Sequence, residues 1–254
     1  MAPRHFAGYL AEVQRRLGEA GERNGGSICA AAGLIADAIE QGRVLYVFGA
    51  SHAGILTQDL FYRAGGLVPI EPIMPAGLML NERPITRTSH LERLSGFAEL
   101  VLRDVPIGKG DVLLVASVSG RNAVAVELCT GAQQRGGKVI ALTSVTYSRS
   151  VSARGIARLF EVADVVIDLP GIPGDAAIRL DGLEQRVGPT STPVGTAILQ
   201  GLMVEVSGRL LERGIEPPVL VSANLDGSDA RNQILLDRYR DRLSYIHPPS
   251  RAPR

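Results

Sequence analysis

The sequence predicts an α/β protein, a three-layer αβα sandwich around a mostly parallel five-stranded sheet. Short unbroken apolar runs at Val44 to Phe48, Val112 to Val115 and Val139 to Leu142 suit strands buried on both faces, as parallel strands are. Between them lie segments whose apolar residues recur at helical spacing, so strands and helices alternate. With 254 residues and 45% hydrophobic content, the chain is long enough to bury this core as one large domain.

The elements follow in order. Phe6, Tyr9, Leu10, Val13 and Leu17 make a first amphipathic helix that breaks near Gly21 and Gly25-Gly26. Ser27 then caps a second helix with the stripe Ile28, Ala32, Ile35 and Ile39, ending at Gly42. Residues 1–42 are thus N-terminal helices packed on the core or on a partner subunit, residues 43–247 the main domain, and residues 248–254 a disordered tail. After the strand Val44 to Phe48 come the turn Gly49 to Gly54 and a helix with Ile55, Leu56, Leu60 and Phe61, closed by Gly65-Gly66. Val68 to Ile70 is a short strand, at an edge because of Pro69. The irregular apolar segment from Glu71 to Glu82 is either a loop covering the core or a lid. Ser89 and Glu92 have capping-box spacing and open a helix running through Phe97 and Leu100.

The central unit runs from Asp111 to Ser144: strand, the turn Ser117-Val118-Ser119-Gly120-Arg121-Asn122, a helix with Val124, Val126, Leu128 and Ala132, the stop Gly136-Gly137, and a strand ending in Thr143-Ser144. Ala163 to Asp168 is a fifth strand and Pro170 to Gly174 a turn. Thr190, Ser191 and Thr192 precede a long helix from Pro193, and a last helix spans Ala230 to Leu243.

Composition excludes several functions. A net charge of +1 gives no electrostatic case for nucleic acid or an anionic membrane surface. No uncharged apolar run reaches the ~20 residues of a membrane span and the N-terminus has no signal-type apolar core, so a cytoplasmic protein is expected. Cys29 and Cys129 have no partners at metal-ligand spacing, and no metal or cofactor is expected.

The turn at Ser117 to Asn122 has the chemistry of an anion site. Backbone NH groups, a helix N-terminus and two hydroxyls converge at the carboxyl edge of a parallel sheet, where open sheets bind ligands. Helix capping by Ser119 or Asn122 is the alternative. The wider pattern, strand, Ser-x-Ser-Gly-x-Asn, helix, Gly-Gly, strand, Leu-Thr-Ser, resembles the sugar isomerase (SIS) domain. The resemblance implies a flavodoxin-like nucleotide-binding topology and a phosphosugar held by this loop. Phe48-Gly49, His52 and Leu60-Phe61-Tyr62-Arg63-Ala64-Gly65-Gly66-Leu67 resemble the SIS subfamily UPF0309, as does the tail Pro217-Pro218-Val219 to Gly227. The chain departs from that pattern at Ser51, where glycine is usual, and at Ala53 and Gly54, where serine and histidine are usual.

By this resemblance the ligand is a phosphorylated sugar or amino sugar, bound by Gly49, Ser51, Ser117, Ser119, Gly120, Asn122, Thr143, Ser144, Thr190 and Ser191, and the protein is a homodimer or homotetramer. Capping by hydroxyls also accounts for Thr190 to Thr192. Aldose to ketose isomerisation needs proton-transfer groups. His52, Asp59 and Glu184 are the candidates, each also readable as a structural or solvated residue. Two functions stay open, an isomerase or related lyase and a non-catalytic phosphosugar sensor.

Overall fold

The computed structural model describes residues 4–155 and 157–246; the predicted tail at 248–254 lies outside them. The chain forms α1 (Arg4–Glu40), β1 (Leu45–Gly49), α2 (Ala53–Leu60), β2 (Ile70–Ile73), α3 (Arg87–Leu91), α4 (Phe97–Asp104), β3 (Val112–Ala116), α5 (Ala123–Gln134), β4 (Lys138–Thr143), α6 (Val145–Ser150), α7 (Leu159–Val162), β5 (Val165–Asp168), β6 (Ala176–Ile178), β7 (Val187–Pro189), α8 (Ser191–Glu212) and α9 (Ser228–Tyr239).

Five strands form one parallel sheet in the order β2-β1-β3-β4-β5. The burial of β1 and β3 is complete along their length, as their apolar runs require. Alternate side chains face two cores. Leu45, Val47, Leu114, Ile140, Leu142 and Ile167 pack with α1, α2 and α8. Tyr46, Phe48, Leu113, Val115, Val139 and Ala141 pack with α4, α5 and the C-terminal segment around Tyr239 and Leu243. The order reverses between β1 and β3, since β1 connects outward to β2 while the later strands add on the other side. Gly49 and Ala116 are register partners there, so the two turns that follow leave the sheet at one level.

Several elements differ from expectation. Residues 4–40 are one continuous helix of 37 residues, not two. Each interior glycine costs about 1 kcal/mol against alanine, but tertiary anchors hold the helix through Gly21, Gly25 and Gly26. Arg16 Nη1 donates to the Pro170 carbonyl at 3.0 Å. The Asn24 carboxamide donates to the Asp168 carbonyl at 2.9 Å and accepts from the Asp168 amide at 2.8 Å. Ala31, Ala32, Ile35 and Ile39 continue the buried stripe, and the helix lies along α8 of its own chain. Ser27 is therefore interior and caps nothing. The predicted helix from Ser89 through Leu100 is two helices, because Gly96 adopts φ 84° and starts α4 while its amide donates to Glu127 Oε2 at 2.8 Å. Ser89 lies inside α3, so its capping box does not form. A small antiparallel hairpin, β6 with β7, precedes α8.

Candidate functional site

The turns after β1 and β3 meet around a cavity of about 250 Å3 at the carboxyl edge of the sheet. This lies where the strand order reverses, the place at which doubly wound sheets bind ligands. Its volume falls below the ~300 to 1,000 Å3 of drug-sized pockets and suits a small polar molecule.

The first wall is the turn at residues 49–54. A Cβ on Gly49 would overlap the Ala53 carbonyl oxygen, so the turn closes only around glycine. Ser51 adopts φ 55°, a left-handed conformation that costs L-residues roughly 1 to 2 kcal/mol. Its amide is held by the Leu78 carbonyl at 2.8 Å. Leu78 and Met79 are buried, so the segment from Glu71 to Glu82 covers the core beside the site. His52 lines the cavity and is exposed.

The second wall is Ser117 to Asn122. Its backbone is fixed from beneath: Ser117 N donates to the Leu142 carbonyl, Ser144 N to the Val118 carbonyl, and Thr143 Oγ1 to the Val118 carbonyl at 3.3 Å. Gly120 has φ 55°, and a Cβ there would lie 2.7 Å from Thr143 Oγ1. Thr143 and Ser144 are buried and support this loop, and the Ser144 hydroxyl caps α6 by accepting from Tyr147 N at 3.3 Å. Neither lines the cavity. Asn122 is the N-cap residue of α5, yet no side chain caps that helix. Among the described residues, the hydroxyls of Ser51, Ser117 and Ser119 make no hydrogen bond within the protein, and all three residues line the cavity. The capping alternative for Ser119 thus has no geometric support.

Thr190 and Ser191 do not line the cavity. Asp175 stands between them and it, accepting from Thr190 N at 3.2 Å, Ser191 N at 2.9 Å and Ser191 Oγ at 2.6 Å. It is the Asp175 carboxylate, not a hydroxyl, that holds the start of α8. Asp59 also lies away from the cavity, bonded by Arg63 and by Gln200 Nε2 at 2.8 Å. Glu184 is exposed in the hairpin connection between β6 and β7. Of the three predicted proton-transfer groups, only His52 reaches the cavity.

The sequence reading missed Glu92, Tyr147 and Asp175, all of which line it. Glu92 ends α3, and its backbone carbonyl accepts from Val124 N at 3.2 Å, which fixes the residue beside the first turn of α5. Burial pushes its carboxyl above the ordinary value, against the opposing pull of the Arg93 and Arg154 guanidiniums and the Asn122 carboxamide. A carboxyl whose proton affinity is raised is a better proton acceptor than an ordinary glutamate. Glu92 is the second member of the predicted capping box, so a local rule explained it before its long-range placement was visible. Asp175 has φ 64° and follows Gly174, with no flanking signal for its role.

A larger hollow of about 1020 Å3 lies at the β2 edge, between Tyr46, Glu71, Val101 and the segment Arg240 to Tyr245. Its rim alternates Arg103, Asp104, Arg240 and Asp241, so charges do not converge on one ligand sign. The smaller cavity, at the strand reversal, has the chemistry of a site.

Fold and site define a doubly wound α/β protein with a hydroxyl-lined turn at the sheet's carboxyl edge. A family model described as the SIS domain matches residues 8–144. Over 240 residues the chain is 46% identical to a UPF0309 protein of Shouchella clausii and 42% identical to one of Oceanobacillus iheyensis, covering 94% of this chain and 98% of each relative. The chain belongs to the SIS domain family and, within it, to the UPF0309 group. Its fold is also similar to phosphoheptose isomerases of Neisseria gonorrhoeae (TM-score 0.58, 17% identity, 81% of this chain and 98% of that one) and Francisella tularensis (0.53, 18%, 81% and 97%).

Proposed function

We propose that the chain binds a phosphorylated sugar or amino sugar in the cavity above β1 and β3 and moves a proton on it, as an aldose-ketose isomerase or a related lyase. The observation that carries this is the meeting, in one cavity, of three serine hydroxyls without a partner among the described residues and a carboxyl whose proton affinity burial has raised. In this reading Ser51, Ser117 and Ser119 donate to the phosphate, aided by NH groups of the turn and the N-terminal end of α5. Glu92 is the base that takes the proton from C2 of the open-chain aldose. As the C2 electrons form the enediol double bond, the carbonyl oxygen gains a proton, which His52 supplies. Return of the proton to C1 and loss of the C2 hydroxyl proton completes the ketose. The fold shared with phosphoheptose isomerases supports this class of chemistry.

The chain is further proposed to act in the cytoplasm as a homodimer or homotetramer; Phe6 at 60% exposure and Leu10 at 43% present apolar surface on the N-terminal half of α1.

A panel of hexose 6-phosphates and amino-sugar 6-phosphates, scored for thermal stabilisation and for exchange of the C2 proton with solvent, tests the reading. Stabilisation with exchange is the expected result. Stabilisation without exchange for every sugar assigns the cavity to a non-catalytic sensor, and no stabilisation at all removes the phosphosugar reading.

A further inference from the structure

We infer that the ligand carries, besides its phosphate, a second anionic group, a carboxylate or another phosphate, held by Arg93, Arg121 and Arg154. This rests on the phosphosugar reading above and narrows its substrate class.

Arg154 stands beside the cavity with Arg121 and Arg93 near it, although none of the three lines it. Arg154 Nη1 donates to Asn122 Oδ1 at 2.8 Å, and Asn122 lines the cavity, so that guanidinium stands at its rim. Arg154 N donates to the Arg121 carbonyl at 3.1 Å, clasping the segment after α6 onto the serine turn. Arg121 Nη2 reaches Ser152 Oγ at 3.2 Å, while its Nε is buried and has no partner. Arg93 follows Glu92 in the chain. Among the described residues none of the three forms an ion pair with a carboxylate, although fifteen ion pairs occur elsewhere. Glu92 is set against Arg154, and Asp175 lines the same cavity, so three guanidiniums stand against two carboxylates, a local excess of one positive charge. Burial first, and then the neighbouring Arg121 and Arg93, lower the proton affinity of Arg154 against the opposing pull of Glu92 and Tyr147.

The sugar phosphate does not account for this excess. Its donors are Ser51, Ser117 and Ser119 and the adjoining amides, which are neutral, and they belong to the turns directly above β1 and β3. The arginines lie on the side of Asn122 and Glu92. A guanidinium fork matches a carboxylate or phosphate, and such charge-assisted contacts are about twice as strong as neutral ones.

The test measures calorimetric affinity of the full chain for two matched pairs, glucose 6-phosphate against 6-phosphogluconate and fructose 6-phosphate against fructose 1,6-bisphosphate. The wild type is expected to bind the doubly anionic member of at least one pair roughly ten- to a hundredfold more tightly. In Arg121→Gln/Arg154→Gln that ratio should collapse to within about threefold. If neither pair shows a preference in the wild type, the inference is overturned while the phosphosugar reading stands. Equal loss for both members in the double variant also overturns it, because the cluster would then hold the first phosphate. Binding of none of the four refutes both. Where the double variant fails to fold, the wild-type ratio and its steeper decline with salt for the doubly charged ligand still decide the matter.

Discussion

Replacing Ser119 by alanine should separate binding from stability, and the neighbouring Ser144 supplies the control. The Ser119 hydroxyl has no partner within the protein among the described residues, so its loss leaves no buried group unsatisfied. A change of that kind stays within about 0.5 kcal/mol in stability, or about 2 °C in melting temperature for a chain of this size. The lost bond to a phosphate oxygen is instead charge-assisted and worth about 1.5 to 3 kcal/mol, roughly ten- to a hundredfold in affinity. Ser144 is the reverse case. It is fully buried and its hydroxyl accepts from Tyr147 N at the start of α6, so Ser144→Ala should cost ~0.5 to 2 kcal/mol, lowering the melting temperature by about 2 to 6 °C. Titration calorimetry with the best phosphosugar from the panel, beside thermal melts of both variants, gives the two signatures. The reasoning is refuted if Ser119→Ala melts several degrees lower and binds as the wild type does.

Four further outcomes are expected. Glu92→Gln should keep most phosphosugar affinity while C2 exchange falls by ~10² to 10⁴; because folding raises the Glu92 carboxyl, its stabilising contribution is present below the ordinary glutamate range and lost as pH rises through the elevated value, so the variant should melt higher than wild type at neutral pH and alike in acid. Under the proposed roles His52→Gln should show the same split between exchange and affinity, and equal loss of both would make His52 a binding or structural group. Ser51→Gly should relieve the left-handed strain and raise stability by about 1 kcal/mol, read from denaturant midpoints, with any accompanying affinity loss reporting what the Ser51 hydroxyl contributes. Light scattering at micromolar concentration should give a mass of at least twice 27.0 kDa.

The sheet was legible because its evidence is local. Val112 to Val115 and Val139 to Leu142 are apolar without interruption, and only strands buried on both faces need that pattern. The edge strand was legible in kind but displaced along the chain: the reading placed it at Val68 to Ile70, whereas it runs Ile70–Ile73 and carries Pro72. The course of α1 was hidden because glycine spacing reports intrinsic preference, whereas Arg16 and Asn24 hold the helix through bonds to residues more than 140 positions away. The serine turn could be read directly, since its donors are contiguous. The carboxylates could not: Glu92 and Asp175 reach the cavity from the end of α3 and the loop before β6, and nothing in their own neighbourhoods marks them. Short strands such as β6 and β7, three residues each and β7 carrying a glycine and a proline, lie below what alternation can signal.

The Asn24 contact with β5 has a meaning for solubility. An outer strand offers a row of unpaired amides and carbonyls onto which another chain can add. The Asn24 carboxamide mimics a peptide unit and occupies both groups of Asp168, so a helix side chain stands where a foreign strand would dock. At the opposite border Pro72 has no NH to offer, and Val68 N is already bonded to the Pro218 carbonyl. In the folded chain both margins of the sheet are thereby made poor templates for strand addition.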